Sequence, residues 1–508
     1  MDAGLTALRA HAVKRARPAL AVVLPTLLAA ALTATRLPYR WNQVALAYAA
    51  YYREYFHTID VHGLPGLLSF VGMHPPAYSL LFLGMTEAGA SPTTWLLVSG
   101  LCSVTAVAAV ALTALRAGLE PGVAASAACV LAVSPHRLAY ALEPNNYPLL
   151  LAVIGVQALV FADFVRGSRR GILLALVTAL GLWTHALFVV VPLAQAAALV
   201  RDTRRKTGWV ALGAAVLMCG PLVPAVLSGM GSTVNPGGLG LAAQAMLLDF
   251  PARYGSAGAG WVVAVMTIAG ATVAIRGPDV IARSWALQLL GSGVLIAAML
   301  VRGTAAAHQF PYYLVLLVPS ALLVGRALGV PRLALAGPLL LLSVGASLQW
   351  SLTEAARGRE VWRTAAVTRP MVARAVGSWD AGAALILLGM PAGGDDDKDV
   401  IDPAYALVPR TLPVSHTAPH FPRMVAADPY WGQPYGYPEQ RWLYTFTNFA
   451  SDRFQAILRF HRGAGSRVLV VVYDTERAPE EAQSVRSWAE TQGARTLRGP
   501  DAMLFVFE

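Results

Sequence analysis

Apolar runs of about 20 residues recur from Ala19 to Trp350, with short clusters of arginine and lysine between them. This alternation constrains the chain more than any motif. A run of that length satisfies its own backbone hydrogen bonds as a helix and matches the hydrocarbon thickness of a bilayer. The runs are continuous, without the alternation of a barrel wall. Only 13% of residues are charged and 56% are hydrophobic, against about 25% charged and about 45–50% apolar in soluble domains. The sequence therefore predicts an all-α polytopic membrane protein.

The net charge of +11 follows the same logic. The basic residues lie in short clusters between spans, where they set topology and meet anionic lipid headgroups. No basic stretch carries the interleaved aromatics that grip single strands, so nucleic acid is excluded as a partner. Cys102, Cys129 and Cys219 each lie inside an apolar run, which argues against a disulfide or a zinc site. The basic stretch Arg9 to Arg17 precedes a run with no convincing cleavage site, so that run reads as a retained first span.

Taken in order, the predicted spans are Ala19–Leu37, Thr93–Arg116, Val123–Val133, a fourth ending at Phe164, and a fifth and sixth sharing Ile172–Val200 with a break near Thr184-His185. They continue with Trp209–Leu227, Trp261–Ile275, Ser284–Val301, Pro311–Ala327 and Leu333–Trp350. This makes about 11 transmembrane helices, and every dense arginine cluster falls on one side. By this rule that side is expected to be cytoplasmic, together with the N-terminus. Beyond Trp350 the composition changes. Ala384–Met390, Arg467–Asp474 and Ala502–Phe507 read as buried strands, and Trp362–Val376, Asp452–Phe460 and Pro479–Thr491 as helices. Residues 351–508 are thus expected to form a soluble extracytoplasmic α/β domain, and residues 1–350 the membrane domain, with a first outer loop at 38–90. The acidic run Asp395, Asp396, Asp397, Asp399 and Asp402 lacks the spacing of a calcium loop.

The stretch Trp41 to Tyr78 stands out because it gathers Arg53, Glu54, His57, Asp60, His62 and His74 with several tyrosines beside a span. Ionisable groups near membrane depth are costly and are functional candidates by default. Others predicted at the same outer face are His136, Arg137 and Glu143, then His185, then Asp249, Arg253, Arg302 and His308. A cavity there suits a charged lipid headgroup, with arginine or histidine against phosphate and a carboxylate taking a proton. A transporter fits less well, because its site would lie near the midplane.

Four stretches in order carry a family likeness: HPPAY at His74–Tyr78, SPHRLAYALEPNNYPLLL at Ser134–Leu151, LWTHALFVVVPLAQ at Leu182–Gln195, and HQFPYYLVLLVPSALLV at His308–Val324. REVWRTAA at Arg359–Ala366 adds a fifth. Together they resemble the membrane glycosyltransferases of the GT-C class, nearest to the bacterial relatives of protein O-mannosyltransferases (family thirty-nine) and of the lipid A aminoarabinose transferase. The likeness implies a GT-C-like membrane domain that transfers a sugar from a polyprenyl-phosphate donor to a glycan, lipid or protein acceptor. It places an acidic base near the start of the first outer loop and a cation by the lipid phosphate. It leaves a divalent metal open as a cofactor.

Asp60 or Glu54, neither at the family's spacing, is read as a substitute base, and Glu143 as organiser of the cavity. His74, Arg137, Tyr78, Tyr147 and His308 are expected near phosphate or substrate. The acidic pair that the family carries after its first span is matched here by Asn42 and Gln43, which hydrogen-bond but take no proton at neutral pH. The arginine that often follows the glutamate of the second outer stretch is matched by Asn145. A catalytically degenerate relative that binds or presents a lipid-linked glycan is the alternative reading.

Overall fold

A computed structural model describes residues 16–37, 75–353 (except 89, 91, 144, 169, 203–204, 224–237, 245–246, 249, 253, 255–256 and 303–309), 384–388, 435–437, 441–446 and 458–507 (except 460, 464, 466, 474–478 and 499–501). They fall into two compact units, one helical and one built on a sheet.

In the helical unit, five helices are long and apolar enough to cross a membrane: Ala16–Leu37, Thr94–Arg116, Asn146–Val165, Gly258–Arg276 and Val280–Arg302. In chain order the main helices are α1 (Ala16–Leu37), α2 (Ala77–Glu87), α3 (Pro92–Arg116), α4 (Pro121–Ala132), α5 (Pro135–Tyr140) and α6 (Asn146–Val165). They continue with α7 (Gly171–Thr184), α8 (Val190–Ala198), α9 (Arg205–Met218), α10 (Ala257–Arg276), α11 (Val280–Arg302), α12 (Leu314–Leu328) and α13 (337–353). Several expected spans are shorter than a membrane is thick. Helix α4 has 12 residues, roughly 18 Å against a hydrocarbon core of about 30 Å. Pro135 stops it there by opening the next helix. The run over 172–200 divides where the sequence suggested. His185 adopts an extended backbone that ends α7, and a short 3-10 turn, Ala186–Val189, leads into α8.

Small residues let the central helices approach closely, as lipid-embedded bundles require. Gly155 of α6 faces Ala106 and Ala109 of α3. Gly270 of α10 lies so close to the Leu323 carbonyl of α12 that a Cβ there would overlap it. Helix α12 is the axis of the bundle, with every residue buried except Arg326 and Leu328. Pro319 interrupts its hydrogen-bond ladder, and the Tyr254 hydroxyl donates to the nearby Leu316 carbonyl at 3.4 Å. Polar side chains also join helices: Gln157 donates to Thr178 Oγ1 and to Gln195 Oε1, both at 2.7 Å, tying α6 to α7 and α8. Leu20, Val23, Leu24 and Leu27 form one exposed stripe of α1, and Val210, Val216 and Leu217 stand exposed on α9. Such apolar faces suit lipid, not water.

The second unit holds a six-stranded sheet in the order β2-β3-β1-β4-β6-β5. Its strands are β1 (Ala384–Leu388), β2 (Tyr435–Tyr437), β3 (Arg441–Phe446), β4 (Val468–Tyr473), β5 (Arg495–Arg498) and β6 (Ala502–Phe507). β1 runs parallel to β3 and β4, while the other pairs are antiparallel. Helix α14 (Pro479–Thr491) buries Val485 and Ala489, one turn apart, and sets Trp488 5.7 Å from the Phe507 ring. The expected helix Trp362–Val376 lies outside the described residues.

Candidate functional site

The stretch Ser134–Tyr147 is organised by two caps. Ser134 precedes Pro135, the first residue of α5, and its Oγ accepts from the Arg137 backbone N–H at 3.4 Å. Serine before proline at a helix start satisfies an otherwise orphaned donor. Six residues later the chain turns, and Asn145 caps α6, its Oδ1 accepting from the Tyr147 N–H at 2.9 Å. The same amide donates through Nδ2 to Glu143 Oε2 at 2.6 Å. Glu143 is only 9% exposed, so its carboxylate is fixed by the residue that begins α6.

Tyr78, at the start of α2, is buried, and its hydroxyl shares a 2.9 Å hydrogen bond with Ser99 Oγ of α3. Burial holds this phenol protonated well above its usual range. The Ser99 bond opposes that shift, and the charges of Cys102 and Glu143 add to it.

Arg137 lies deeper. Its side chain has no exposed surface. Nη1 donates to Thr33 Oγ1 at 3.3 Å and to Ser103 Oγ at 2.9 Å, and Nη2 donates to the Ala132 carbonyl at 2.8 Å. These partners belong to α1, α3 and α4, so one guanidinium gathers three helices under α5. Burial, then the charge of Arg36, pushes its pKa down to about 9, which leaves it charged at neutral pH.

Aromatic rings complete the site. His136 and Tyr140 of α5 lie 5.1 Å apart, Tyr140 and Tyr147 5.6 Å, Tyr147 and His185 5.9 Å, and His185 and Tyr312 6.1 Å. Tyr313, beside Tyr312, returns to His136 at 6.3 Å. Most pairs meet edge to face, the arrangement favoured by the ring quadrupole. The six rings form a series of five contacts through α5, α6, the His185 break and the 3-10 turn Phe310–Tyr313, its two ends being the chain neighbours Tyr312 and Tyr313. His185 Nδ1 accepts from the Leu187 N–H at 3.1 Å, so in the neutral ring Nε2 carries the proton.

No family model matches the chain, and no curated protein matches it. Solved structures do. The crystal structure of ArnT from Cupriavidus metallidurans bound to undecaprenyl phosphate superposes with a TM-score of 0.55 at 14% identity, over 96% of this chain and 97% of that one. The apo state of the same protein gives 0.52 at 14% identity over the same shares. The chain has an ArnT-like GT-C fold.

Within this GT-C fold, Glu143 and Tyr147 are joined through Asn145, Tyr78 is tied to α3 through Ser99, and the Arg137 side chain is tied to α1, α3 and α4. Asn42, Gln43, Glu54, Asp60, His74 and His308 lie outside the described residues, as do Asp249 and Arg253. Among the described residues, no group of three or more His, Cys, Asp or Glu is placed to hold a metal ion. The sequence reading did not single out Tyr140, Tyr312 or Tyr313. A usable signal existed for Tyr140, which follows His136 by one helical turn. Tyr312 and Tyr313 join the site only through packing of the entry to α12.

Proposed function

We propose that the protein is an integral-membrane glycosyltransferase. It takes a sugar from a polyprenyl-phosphate carrier and moves it to a hydroxyl acceptor on the outer face of a bacterial inner membrane. The observation that carries this is the ArnT-like fold over 96% of the chain, because the solved relative is bound to undecaprenyl phosphate. The carboxylate of Glu143, fixed by Asn145 at 2.6 Å, adds local support.

In the proposed reaction the acceptor oxygen attacks the anomeric carbon and the bond from that carbon to the phosphate oxygen breaks. The polyprenyl phosphate departs with the electron pair, and the acceptor proton passes to a carboxylate, Asp60 or Glu54. His74 meets the charge growing on the phosphate, with His308 on the substrate side. Glu143 orients sugar or acceptor hydroxyls, and Asn42 and Gln43 hydrogen-bond to substrate. Arg137 acts through α5 as a positioning residue. In this reading the N-terminus is cytoplasmic and residues 351–508 are extracytoplasmic.

Purified protein given a polyprenyl-phosphate sugar and an acceptor should release polyprenyl phosphate. If several donors bind without any release, the enzyme reading fails and the second reading stands: a relative that binds or presents a lipid-linked glycan. Asn42 and Gln43, in place of an acidic pair, favour that alternative.

A further inference from the structure

At the end of α6 remote from Glu143, the starts of α7 and α9 lie side by side. Phe164, in the last turn of α6, packs against Gly208 of α9, where an added Cβ would lie 3.3 Å from the ring. Gly171, which opens α7, adjoins Thr207, and a Cβ there would lie 3.8 Å from the threonine Cγ2. Phe164, Leu174, Leu199 and Leu212 share one buried core behind these contacts. The arrangement brings Arg170, Arg205 and Lys206 to one edge, all three exposed.

Cations at a helix C-terminus are explained by the helix dipole, as for Arg116 on α3 and Arg276 on α10. Arg170, Arg205 and Lys206 stand instead at helix N-termini, where the dipole opposes them. Neither α7 nor α9 has an acidic residue in its first turn, and the Arg170 side chain makes no cap. Arg170 reaches Asp163 at 3.1 Å, but that carboxylate is shared with Arg116 at 3.3 Å. Among the described residues, Arg205 and Lys206 pair with no carboxylate. Topology asks for basic residues near the ends of spans; it does not ask for them where the dipole repels them.

Directly along both helices the surface turns apolar. Ile172 of α7 and Val210 of α9 are 79% and 72% exposed, and Leu176 and Leu217 follow on the same helices. Between the cations and this apolar surface sits Trp209, partly exposed, its indole N–H donating to the Ala196 carbonyl of α8 at 3.0 Å. Tryptophan so placed marks the level of lipid headgroups. A soluble phosphate would use the cations and nothing of the apolar surface. A zwitterionic lipid would bring its own ammonium against the arginines. An anionic glycerophospholipid fits both parts, with its phosphate at Arg170, Arg205 and Lys206 and its acyl chains along Ile172, Leu176 and Val210. We infer that the adjoining starts of α7 and α9 form a binding site for an anionic glycerophospholipid. The site is separate from the one built around Glu143 and does not depend on the transferase reading.

The test titrates the full-length protein, in zwitterionic micelles, with phosphatidylglycerol and separately with phosphatidylcholine, and counts bound lipid by native mass spectrometry. The wild type should hold phosphatidylglycerol about tenfold more tightly. Arg205→Gln combined with Lys206→Gln should shrink that preference to about threefold or less, and adding Arg170→Gln should shrink it further. Arg205→Lys, which keeps the charge, should retain it. Arg276→Gln combined with Arg332→Gln removes as much charge at the same end of the bundle, where Gly277 lies near Arg326 and Gly329 near Leu119. This control should keep the preference; an equal loss overturns the site, because the lipid would then follow net charge alone. Equal affinity for both lipids in the wild type overturns it too. So does displacement of phosphatidylglycerol by inorganic phosphate, which would make this a site for free anions, or by polyprenyl phosphate, which would make it a donor site. A protein that shows the lipid preference yet never releases polyprenyl phosphate sinks the transferase reading and leaves the lipid site standing.

Discussion

The Arg137 guanidinium donates to the Ser103 hydroxyl at 2.9 Å, and among the described residues it meets no carboxylate. A buried charge held only by neutral acceptors is costly, and here it is retained beneath the helix that carries His136 and Tyr140. If it positions that helix, Arg137→Met should lower kcat about tenfold or more and leave KM for the donor unchanged. A raised KM with unchanged kcat would instead mean that the guanidinium binds the headgroup itself.

Asn145 performs two tasks that substitution can separate. Asn145→Ala removes both the cap of α6 and the clamp on Glu143, and should cost about 0.5–2 kcal/mol of stability as well as activity. Asn145→Asp keeps an oxygen for the Tyr147 N–H but sets a like charge against Glu143. It should retain the cap and still lose activity. Thermal unfolding paired with a transfer assay distinguishes the two; equal loss of stability in both variants would contradict this division.

The crossing of α10 and α12 has no room for a methyl group at Gly270. Gly270→Ala should destabilise the membrane unit by about 1–3 kcal/mol, because the overlap is with the Leu323 backbone and not with a flexible side-chain end. A detergent-resistance or thermal-shift measurement reads this directly. Gly213 and Gly345, where an added Cβ meets nothing, are the matched controls and should change little.

His461, in the sheet unit, is 1% exposed, and burial lowers its pKa to about 4 from 6.5. In the folded chain it stays neutral, while the unfolded chain binds a proton as pH falls through 6.5. Its neutral burial is therefore harmless above pH 6.5, and stability is lost as pH falls from 6.5 toward 4. The pH dependence of unfolding should be shallower across that window in His461→Phe. An unchanged slope would show that His461 is not its source.

The elements easiest to read were those whose residues decide their own conformation. Ser134-Pro135 marked the end of α4 because proline cannot continue a helix in that register. Thr184-His185 marked the division of a long apolar run because two polar side chains interrupt it. Strands β1, β4 and β6 were legible as continuous apolar stretches. β3 and β5 were not: RWLYTF and RTLR mix charge with apolar residues, and β5 is an edge strand. The site was legible only in part. Glu143 and Tyr147 announced themselves beside proline and a helix start. The ring contacts that join Tyr147 to Tyr312 through His185, and Tyr140 to Tyr313 through His136, span residues 136 to 313 and exist only after α12 packs into the bundle.

The double role of Asn145 reaches beyond the site. Helix α6 has 20 residues, about 30 Å of stiff rod, and near its far end Asp163 takes Arg116 at 3.3 Å and Arg170 at 3.1 Å. The amide that aims Glu143 is also the first fastening of that rod. A ligand drawing on the carboxylate therefore loads a lever whose other end is anchored to two turns of the chain on the opposite side of the bundle.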